Sequence, residues 1–285
     1  MISLPELLKM YQNEYAYNEL INQLKNTIPY VGAGLTCEIY PLWKQYLQQE
    51  CIKYKIENVE ELFENNLYED IAELILNKIG STAFYADLKV TFSESKFKEK
   101  PLTGAISILP SLFQDTVITT NFDCALELTY GLAKCDFKKV LYPCFEEQIS
   151  KTIMGNRHNL IKIHGDISEN SFIVFTRSQY AKVYGDPVDL NKPFLSFLKK
   201  CITGKTLLFL GCSLNVDRVT TIMESIMTND SNILHFALLE EPNKDDYAER
   251  IISLSKMGIL PIFYPKGQHE CVKLLLADIV KKNSM

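Results

Sequence analysis

His164 is the side chain best placed for proton transfer, because it ends an apolar stretch and a glycine follows it. Its segment reads Leu160-Ile161-Lys162-Ile163-His164-Gly165-Asp166. An imidazole titrates near neutral pH and can act as a general acid or base, and Gly165 would let a substrate approach it. A structural, hydrogen-bonded histidine is the alternative interpretation.

Asn121 and Asp123 form a second group of polar side chains, after the apolar stretch 117–119. Ligand contacts of parallel sheets lie at the carboxyl ends of the strands, where an amide and a carboxylate can direct hydrogen bonds. Alternatively, one of the two residues only caps a helix that begins near Cys124.

Two glycine turns end two further apolar stretches. The first, Gly32-Ala33-Gly34-Leu35-Thr36, would let the backbone approach a pyrophosphate, and a helix directly after it would offer free N–H groups. Cys37 occupies the third glycine position of the dinucleotide fingerprint, so a simple tight turn is the alternative. The second, Gly211-Cys212-Ser213, lacks the second glycine of a nucleophile elbow, and it fits a phosphate- or ribose-binding turn better than a hydrolase serine.

Short apolar stretches rich in β-branched and aromatic residues are predicted as the strands that carry these motifs. They cover residues 27–31, 116–119, 139–142, 160–163, 172–175, 206–210, 233–239 and 259–264. Most are continuous rather than alternating, which is typical of strands covered on both faces in a parallel sheet. Strands alternating with helices after a glycine turn predict an α/β fold, a doubly wound Rossmann-like parallel sheet.

Helices are predicted in the two longest intervals between strands. Residues 44–112 contain amphipathic patterns, such as the spacing of Leu67 and Ile71, and are interpreted as a helical insertion. Residues 177–203 also favour helices. No linker or repeat divides the chain, so one domain over residues 1–285 is predicted, with the insertion inside it.

Composition argues against several classes of function. The 285 residues are 47% hydrophobic, which is normal for a globular protein. Because the net charge is −5, no direct nucleic-acid binding is predicted. No apolar run approaches the ~20 residues that span a bilayer, and no signal peptide is evident, so a cytoplasmic location without membrane attachment is expected. The eight cysteines include no CxxC pair, which predicts reduced thiols and no zinc ribbon.

Taken in order, the motifs resemble those of the sirtuin superfamily over about residues 28–270. The similarity is to the GAG[IL]S, PDFR, TQNID, catalytic HG, GTSLxV and INxEP segments of that family. The corresponding segments are Gly32-Ala33-Gly34-Leu35-Thr36, Pro41-Leu42-Trp43-Lys44, Thr120-Asn121-Phe122-Asp123, His164-Gly165, Gly211-Cys212-Ser213-Leu214-Asn215-Val216 and Leu238-Leu239-Glu240-Glu241-Pro242.

Departures from this pattern separate the chain from protein-deacylating sirtuins. Those enzymes carry a four-cysteine zinc module after the catalytic histidine, and no such module stands here. Leu42 and Lys44 replace the Asp and Arg of PDFR, and Leu239 replaces the Asn of INxEP. The chain is more similar to the zinc-free, sirtuin-like NADases of bacterial anti-phage defence.

The resemblance implies an NAD hydrolase that cleaves NAD to nicotinamide and ADP-ribose and depletes NAD during defence. NAD is then the substrate, no zinc is expected, Asn121 orients water or ribose, and His164 accepts a proton. The glycine loop would hold the pyrophosphate, and Trp43 would wall the nicotinamide pocket unless it is only a core anchor. The residues expected to contact NAD are Gly32, Ala33, Gly34, Leu35, Thr36, Trp43, Thr120, Asp123, Gly211, Cys212, Ser213 and Leu239.

Two alternatives remain open from the sequence. One is NAD-dependent protein deacylation, and the other is a non-catalytic sensor of NAD or ADP-ribose. Because almost no chain remains for a sensor beside the catalytic motifs, a homo-oligomer or a separate regulatory or sensor protein is expected as partner.

Overall fold

Parallel strands form the centre of the protein in the computed structural model, which describes residues 2–100, 102–143, 155, 157–215, 218–227 and 233–283. The strands of these ranges are β1 (Thr27–Val31), β2 (Val117–Thr119), β3 (Lys139–Leu141), β4 (Asn159–Lys162), β5 (Thr206–Leu210), β6 (His235–Glu240) and β7 (Ile259–Tyr264). Each coincides, within one or two residues at its ends, with a stretch that the sequence predicted.

The strands pair in the order β3-β4-β2-β1-β5-β6-β7, and every pair is parallel. Tyr30 of β1 lies opposite Ile118 of β2 on one side and Phe209 of β5 on the other. The chain therefore moves outward from β1 in one direction and then returns to build the other half. This reversal of strand order between β1 and β5 is the topological switch point at which doubly wound folds bind ligands, and the predicted fold class is confirmed.

Helices cover both faces of the sheet. In the described ranges the α-helices are α1 (Leu4–Leu8), α2 (Asn13–Gln23), α3 (Trp43–Tyr54), α4 (Glu60–Glu64), α5 (Tyr68–Thr91), α6 (Glu94–Glu99), α7 (Leu109–Leu112), α8 (Ala125–Leu132), α9 (Arg177–Tyr184), α10 (Pro193–Gly204), α11 (Arg218–Met227), α12 (Tyr247–Lys256) and α13 (Glu270–Asn283). No helix in these ranges is both long and apolar enough to cross a membrane.

Burial on both faces explains why the strands read as continuous apolar runs. In β5, Leu208 and Leu210 pack in one hydrophobic cluster with residues of α2, α3 and α13. Leu207 and Phe209 point the other way, into a second cluster with residues of α10, α11 and α12. Successive side chains of a strand face opposite sides, and each fully buried Leu or Phe contributes ~1.5–3 kcal/mol, so both faces favour apolar residues.

Helices α3 to α7 lie between β1 and β2, in the interval where the sequence predicted them. The description of residues 44–112 as an insertion within one domain stays a prediction about domain organisation. Helices α9 and α10 likewise fill most of the second interval, 177–203.

The predicted strand at 172–175 is wrong. Residues Asn170–Phe172 form a 3-10 helix, Ile173 after it is extended, and residues 173–175 do not join the sheet. Ile173 and Phe175 pack in one hydrophobic cluster and Val174 in the other. The alternating burial resembles that of a strand, but it comes from side-chain packing and not from a ladder of backbone hydrogen bonds.

Candidate functional site

The ends of four adjacent strands, β4, β2, β1 and β5, bring the four sequence motifs to one edge of the sheet. Backbone hydrogen bonds continue past the strands into the motifs. Thr120 N–H donates to Val31 O at 3.1 Å, and Gly32 N–H donates to Leu210 O at 2.8 Å. The segments that hold Asn121, His164 and the two glycine turns are therefore fixed relative to one another by the sheet.

The two glycine turns contact each other directly. Gly34 N–H donates to Gly211 O at 2.9 Å, and a Cβ on Gly32 or Gly34 would lie 2.6 or 2.8 Å from that same oxygen. Gly211 itself has a φ of 66°, a left-handed conformation that favours glycine. All three glycines are thus required by the close approach of two backbone segments.

The glycine loop differs from the sequence expectation in its continuation. Ala33–Leu35 form a single 3-10 turn, and the next α-helix, α3, begins only at Trp43. The N–H groups of Leu35 and Thr36 donate to Gly32 O and Ala33 O, at 3.2 and 3.1 Å. The expectation of a helix N-terminus directly after the loop is therefore wrong, because the loop closes on itself.

Asn121 lies against the glycine loop. Its side-chain Nδ2 donates to Thr36 Oγ1 at 3.3 Å, and its backbone N–H donates to Thr119 Oγ1 at 3.0 Å. Thr119 Oγ1 in turn donates to Val31 O at 2.8 Å. Both Asn121 and Thr36 are buried. The amide is thereby oriented at the junction between β2 and the loop after β1.

Asp123 is buried below this junction and has a structural hydrogen bond. Its Oδ1 accepts the N–H of Ala125 at 2.9 Å, at the start of α8. Burial raises the pKa of Asp123 to about 6, although the nearby ammonium of Lys162 opposes this rise. The side chain of Asp123 therefore makes a contact of the kind that the helix-capping interpretation predicts.

His164 lies two residues after the end of β4 and is covered by two tyrosines of α9. Its ring contacts Tyr180 edge to face, with centroids 5.2 Å apart, and Tyr184 at 6.3 Å. Burial lowers the pKa of His164 to about 4, despite a hydrogen bond with the backbone of Thr120. The imidazole is therefore neutral at pH 7.

Gly165 has a reason in the fold that the sequence did not indicate. Its φ is 83°, and a Cβ would lie 1.8 Å from the carbonyl oxygen of Phe172. The residue packs directly against another backbone segment. This packing requirement explains the glycine, and the expectation that Gly165 also lets a substrate approach stays a prediction.

Trp43 is partly buried between the two hydrophobic clusters, so it is a core anchor, and it also borders His164 through Tyr180. Its ring lies 5.2 Å from the ring of Phe175 and stacks on Tyr180 at 6.2 Å. The indole Nε1 is buried and has no hydrogen-bond partner among the residues that the structure describes. Both interpretations of Trp43 are thus compatible with its position.

The turn after β5 is held from outside by α12. Arg250 Nη1 donates to Leu214 O at 2.7 Å, and its Nη2 donates to the carbonyl oxygen of Ser213. Ser213 is exposed and Cys212 is half-buried. The motif continues to Val216, which lies outside the described residues. Leu239 is buried within β6 and packs in the core, and its proposed contact with NAD stays a prediction.

Similarity to a known protein family is found over about half of the sequence. A model of the SIR2-like domain matches residues 115–262, just over half of the chain, including the Asn121, His164 and Gly211 motifs. The chain belongs to the SIR2-like domain family. The resemblance to sirtuins is thereby confirmed.

Two curated relatives of this SIR2-like chain are named NAD(+) hydrolase ThsA. The protein from Acinetobacter baumannii (strain 532279) is 23% identical over 254 residues, which cover 84% of this chain and 48% of the relative. The one from Enterococcus faecium is 25% identical over 227 residues, covering 79% and 45%. This chain therefore spans about half the length of these relatives.

A solved structure from work on the mechanism and regulation of Sir2 enzymes is also similar, at 13% identity and a TM-score of 0.43. It covers 94% of this chain and 98% of the other. The fold assignment itself follows from the strand order and register described above.

Sequence reasoning about this SIR2-like site missed Tyr180, Arg250 and Lys162. Lys162 had a visible signal, since a lysine inside an apolar strand is rarely buried without partners. Tyr180 and Arg250 had none, because helical patterns do not reveal which strand end a helix will cover. In the described ranges, no group of three or more His, Cys, Asp or Glu side chains is arranged to hold a metal ion.

Proposed function

We propose that this protein is an NAD glycohydrolase, which releases nicotinamide and ADP-ribose from NAD. The observation that carries the proposal is the neutral, buried imidazole of His164 beside the β2 turn that bears Asn121, at the ligand-binding end of a doubly wound sheet. The names of the two curated relatives support the same chemistry.

In the proposed binding mode, the dinucleotide lies across the switch point between β1 and β5. The loop from Gly32 to Thr36 contacts the pyrophosphate, and the turn from Gly211 to Ser213, with Leu239, borders the adenosine half. Trp43 borders the nicotinamide pocket through its stacking on Tyr180. Thr120 and Asp123 border the bound NAD, and Asp123 supports the site without taking part in the reaction.

The proposed reaction breaks the bond between the nicotinamide nitrogen and C1′ of the ribose. Nicotinamide leaves with the bonding electron pair, and C1′ gains oxocarbenium character. Asn121 orients the ribose or the attacking water, whose oxygen forms the new bond to C1′. His164 accepts the proton that this water loses. Positioned acid–base groups of this kind contribute ~10²–10⁴-fold to the rate.

We also propose that this activity depletes NAD in anti-phage defence and depends on assembly, as a homo-oligomer or with a separate regulatory protein. The support is the resemblance to sirtuin-like NADases. Light scattering on the purified protein, combined with turnover measurements across a range of protein concentrations, tests the second point. A monomer with full activity would contradict it.

The decisive experiment for the main proposal is incubation with NAD and product analysis by liquid chromatography and mass spectrometry. Nicotinamide and ADP-ribose are expected in equal amounts from NAD alone. Release of nicotinamide only after addition of an acyl-lysine peptide, with formation of acyl-ADP-ribose, would establish deacylation instead. By elemental analysis, the same sample is expected to contain no stoichiometric zinc. About one zinc per chain would contradict the expectation that the protein binds no zinc.

A further inference from the structure

Lys162, the last residue of β4, has its ammonium group entirely inside the protein. All three of its N–H donors have acceptors. Nζ lies 2.6 Å from the backbone oxygen of Asp123, 2.6 Å from Asp166 Oδ2 and 2.8 Å from Glu127 Oε1. Burial lowers the pKa of this lysine, but Glu127 and Asp166 raise it more, so the net pKa is above the ordinary value.

Two of these three acceptors belong to the turns that carry the proposed catalytic side chains. Asp123 lies in the turn after β2, two residues beyond Asn121. Asp166 lies in the turn after β4, two residues beyond His164. The third acceptor, Glu127, is on α8 and belongs to neither turn. The ammonium is therefore the point at which both turns are joined.

Further hydrogen bonds make this junction stiff. Ile167 N–H donates to Phe122 O at 2.8 Å, which links the two turns a second time. Asp166 Oδ1 accepts the N–H of Ser168 at 2.8 Å and its hydroxyl at 2.6 Å. Asp166 is thus held in place on one oxygen while its other oxygen accepts from Lys162.

Packing alone does not account for a lysine at this position. The preceding strand residues Leu160 and Ile161 are apolar and fully buried, so the strand readily places apolar side chains here. A buried charge costs several kcal/mol to desolvate, and an ion pair often stabilises no better than well-packed apolar residues would. What the ammonium adds is a directed link, since its two short hydrogen bonds to Asp123 O and Asp166 Oδ2 define the relative position of the two turns.

We propose that Lys162 is a positioning residue that holds the Asn121 and His164 turns in register for catalysis without touching the substrate. This inference rests on the proposed NAD hydrolysis for its kinetic consequence. Its structural consequence, the rigidity of the two turns, can be measured independently of any activity.

The test replaces Lys162 by methionine, which keeps the length of the side chain and removes all three donors. The kcat for nicotinamide release is expected to fall at least ~100-fold, while the KM for NAD changes less than about threefold, because Lys162 lies outside the proposed binding surface. Amide hydrogen exchange is expected to accelerate in residues 120–124 and 163–168 and to stay unchanged in β5 and β6.

Two further variants keep the test decisive if Lys162→Met does not fold. Asp166→Asn keeps the size of the side chain and its contacts with Ser168, and it is expected to lower kcat about tenfold or more with the same local exchange pattern. Glu127→Gln is the matched control, since it changes the acceptor that lies on neither turn, and its kcat is expected to stay within about threefold of the parent.

The outcomes separate this inference from the proposed function. Suppose that the parent protein does not hydrolyse NAD, but that amide exchange in both turns is faster in the Lys162→Met variant. That result would overturn the proposed NAD hydrolysis and would support the role of Lys162 in joining the two turns. An active parent with a Lys162→Met or Asp166→Asn variant of nearly unchanged kcat would overturn the positioning role. Loss of global stability with equal effects in Asp166→Asn and Glu127→Gln would also overturn it.

Discussion

The hydroxyl of Tyr180 lies 3.4 Å from both ring nitrogens of His164, so that helix α9 covers the proposed catalytic base. The N-terminus of α9 is bonded in turn to α5, where Glu73 Oε2 accepts the N–H of Ser178 at 2.9 Å. The helices between β1 and β2 are therefore connected to His164 through a single short helix. The burial of His164 therefore depends on Tyr180, a side chain that a substitution can remove.

Replacement of Tyr180 by alanine is expected to let water reach His164 and to raise its pKa from about 4 towards the ordinary value of 6.5. Because the base must be neutral to accept a proton, activity is retained above its pKa and lost below it. The acid limb of the kcat profile should therefore move to higher pH. Tyr15, exposed on α2, provides the control: its alanine variant should keep the parent profile.

His164→Ala and Asn121→Ala are each expected to lower nicotinamide release at least ~100-fold while the protein stays folded. Each side chain lies two residues after its strand, at the edge where doubly wound folds bind ligands, so its loss is expected to remove chemistry more than packing. His158 precedes the opposite end of β4, where it contacts Asp115 O and Cys135 O, and His158→Ala is the matched control. Turnover by His164→Ala within a few-fold of the parent would refute the mechanism.

Gly211→Ala is expected to destabilise the fold by at least ~3 kcal/mol, because a left-handed alanine is strained and its Cβ would lie 2.5 Å from Leu35 N. Gly267 has a similar φ of 75° but no atom within 4 Å of the added Cβ. Gly267→Ala should therefore cost only about 1 kcal/mol. Urea unfolding of both variants measures the difference, and equal costs would show that the contact between the loops is unimportant.

Trp43 is the only tryptophan of the chain, which makes its fluorescence a specific probe of the site. Because its ring stacks on Tyr180, which contacts His164, ADP-ribose plus nicotinamide or a non-hydrolysable NAD analogue should change its emission. Titration gives a dissociation constant to compare with KM. Trp43→Phe should remove the signal and keep most of the turnover, whereas an unchanged emission on saturation would separate Trp43 from the binding site.

Acid is expected to destabilise the protein through His235 as well as His164. His235 is fully buried at the start of β6, its Nδ1 accepts the N–H of Leu207 at 3.1 Å, and burial lowers its pKa from 6.5 to about 4. The unfolded chain therefore binds the proton first as pH falls. Between pH 6.5 and 4 this residue should remove about 3 kcal/mol from the free energy of unfolding. His235→Gln should have a flatter pH dependence, and parallel curves would contradict the assignment.

Much of the sheet could be predicted because the residue types of a strand reflect how far it is buried. Runs such as 207–210 are apolar at every position because both faces are covered. The polar residues after 117–119 and 160–163 indicate the edge at which doubly wound folds bind ligands. The error at 172–175 has the same origin, since Ile173, Val174 and Phe175 are buried on both sides without forming a strand of the sheet. Local composition reports burial and does not report hydrogen-bond partners.

Contacts between distant segments could not be predicted in the same way. The three donors of Lys162, the cover of Tyr180 over His164 and the contact between Gly34 and Gly211 all depend on which strands become neighbours. The sequence indicated Gly34 and Gly211 as glycines that would let a ligand approach. In the structure they are explained by the close approach of two backbone segments of the chain itself.

The crossing of Gly165 over the carbonyl of Phe172 bears on how tolerance to mutation should be interpreted in this protein. A saturation screen for activity is expected to score positions 164 and 165 as equally intolerant, one because the proposed base is lost and the other because the loop can no longer close. A ranking by tolerance alone would count Gly165 among the reactive residues. In this protein, the glycine of the histidine–glycine pair is therefore accounted for by the crossing of two backbone segments, whatever the histidine beside it does.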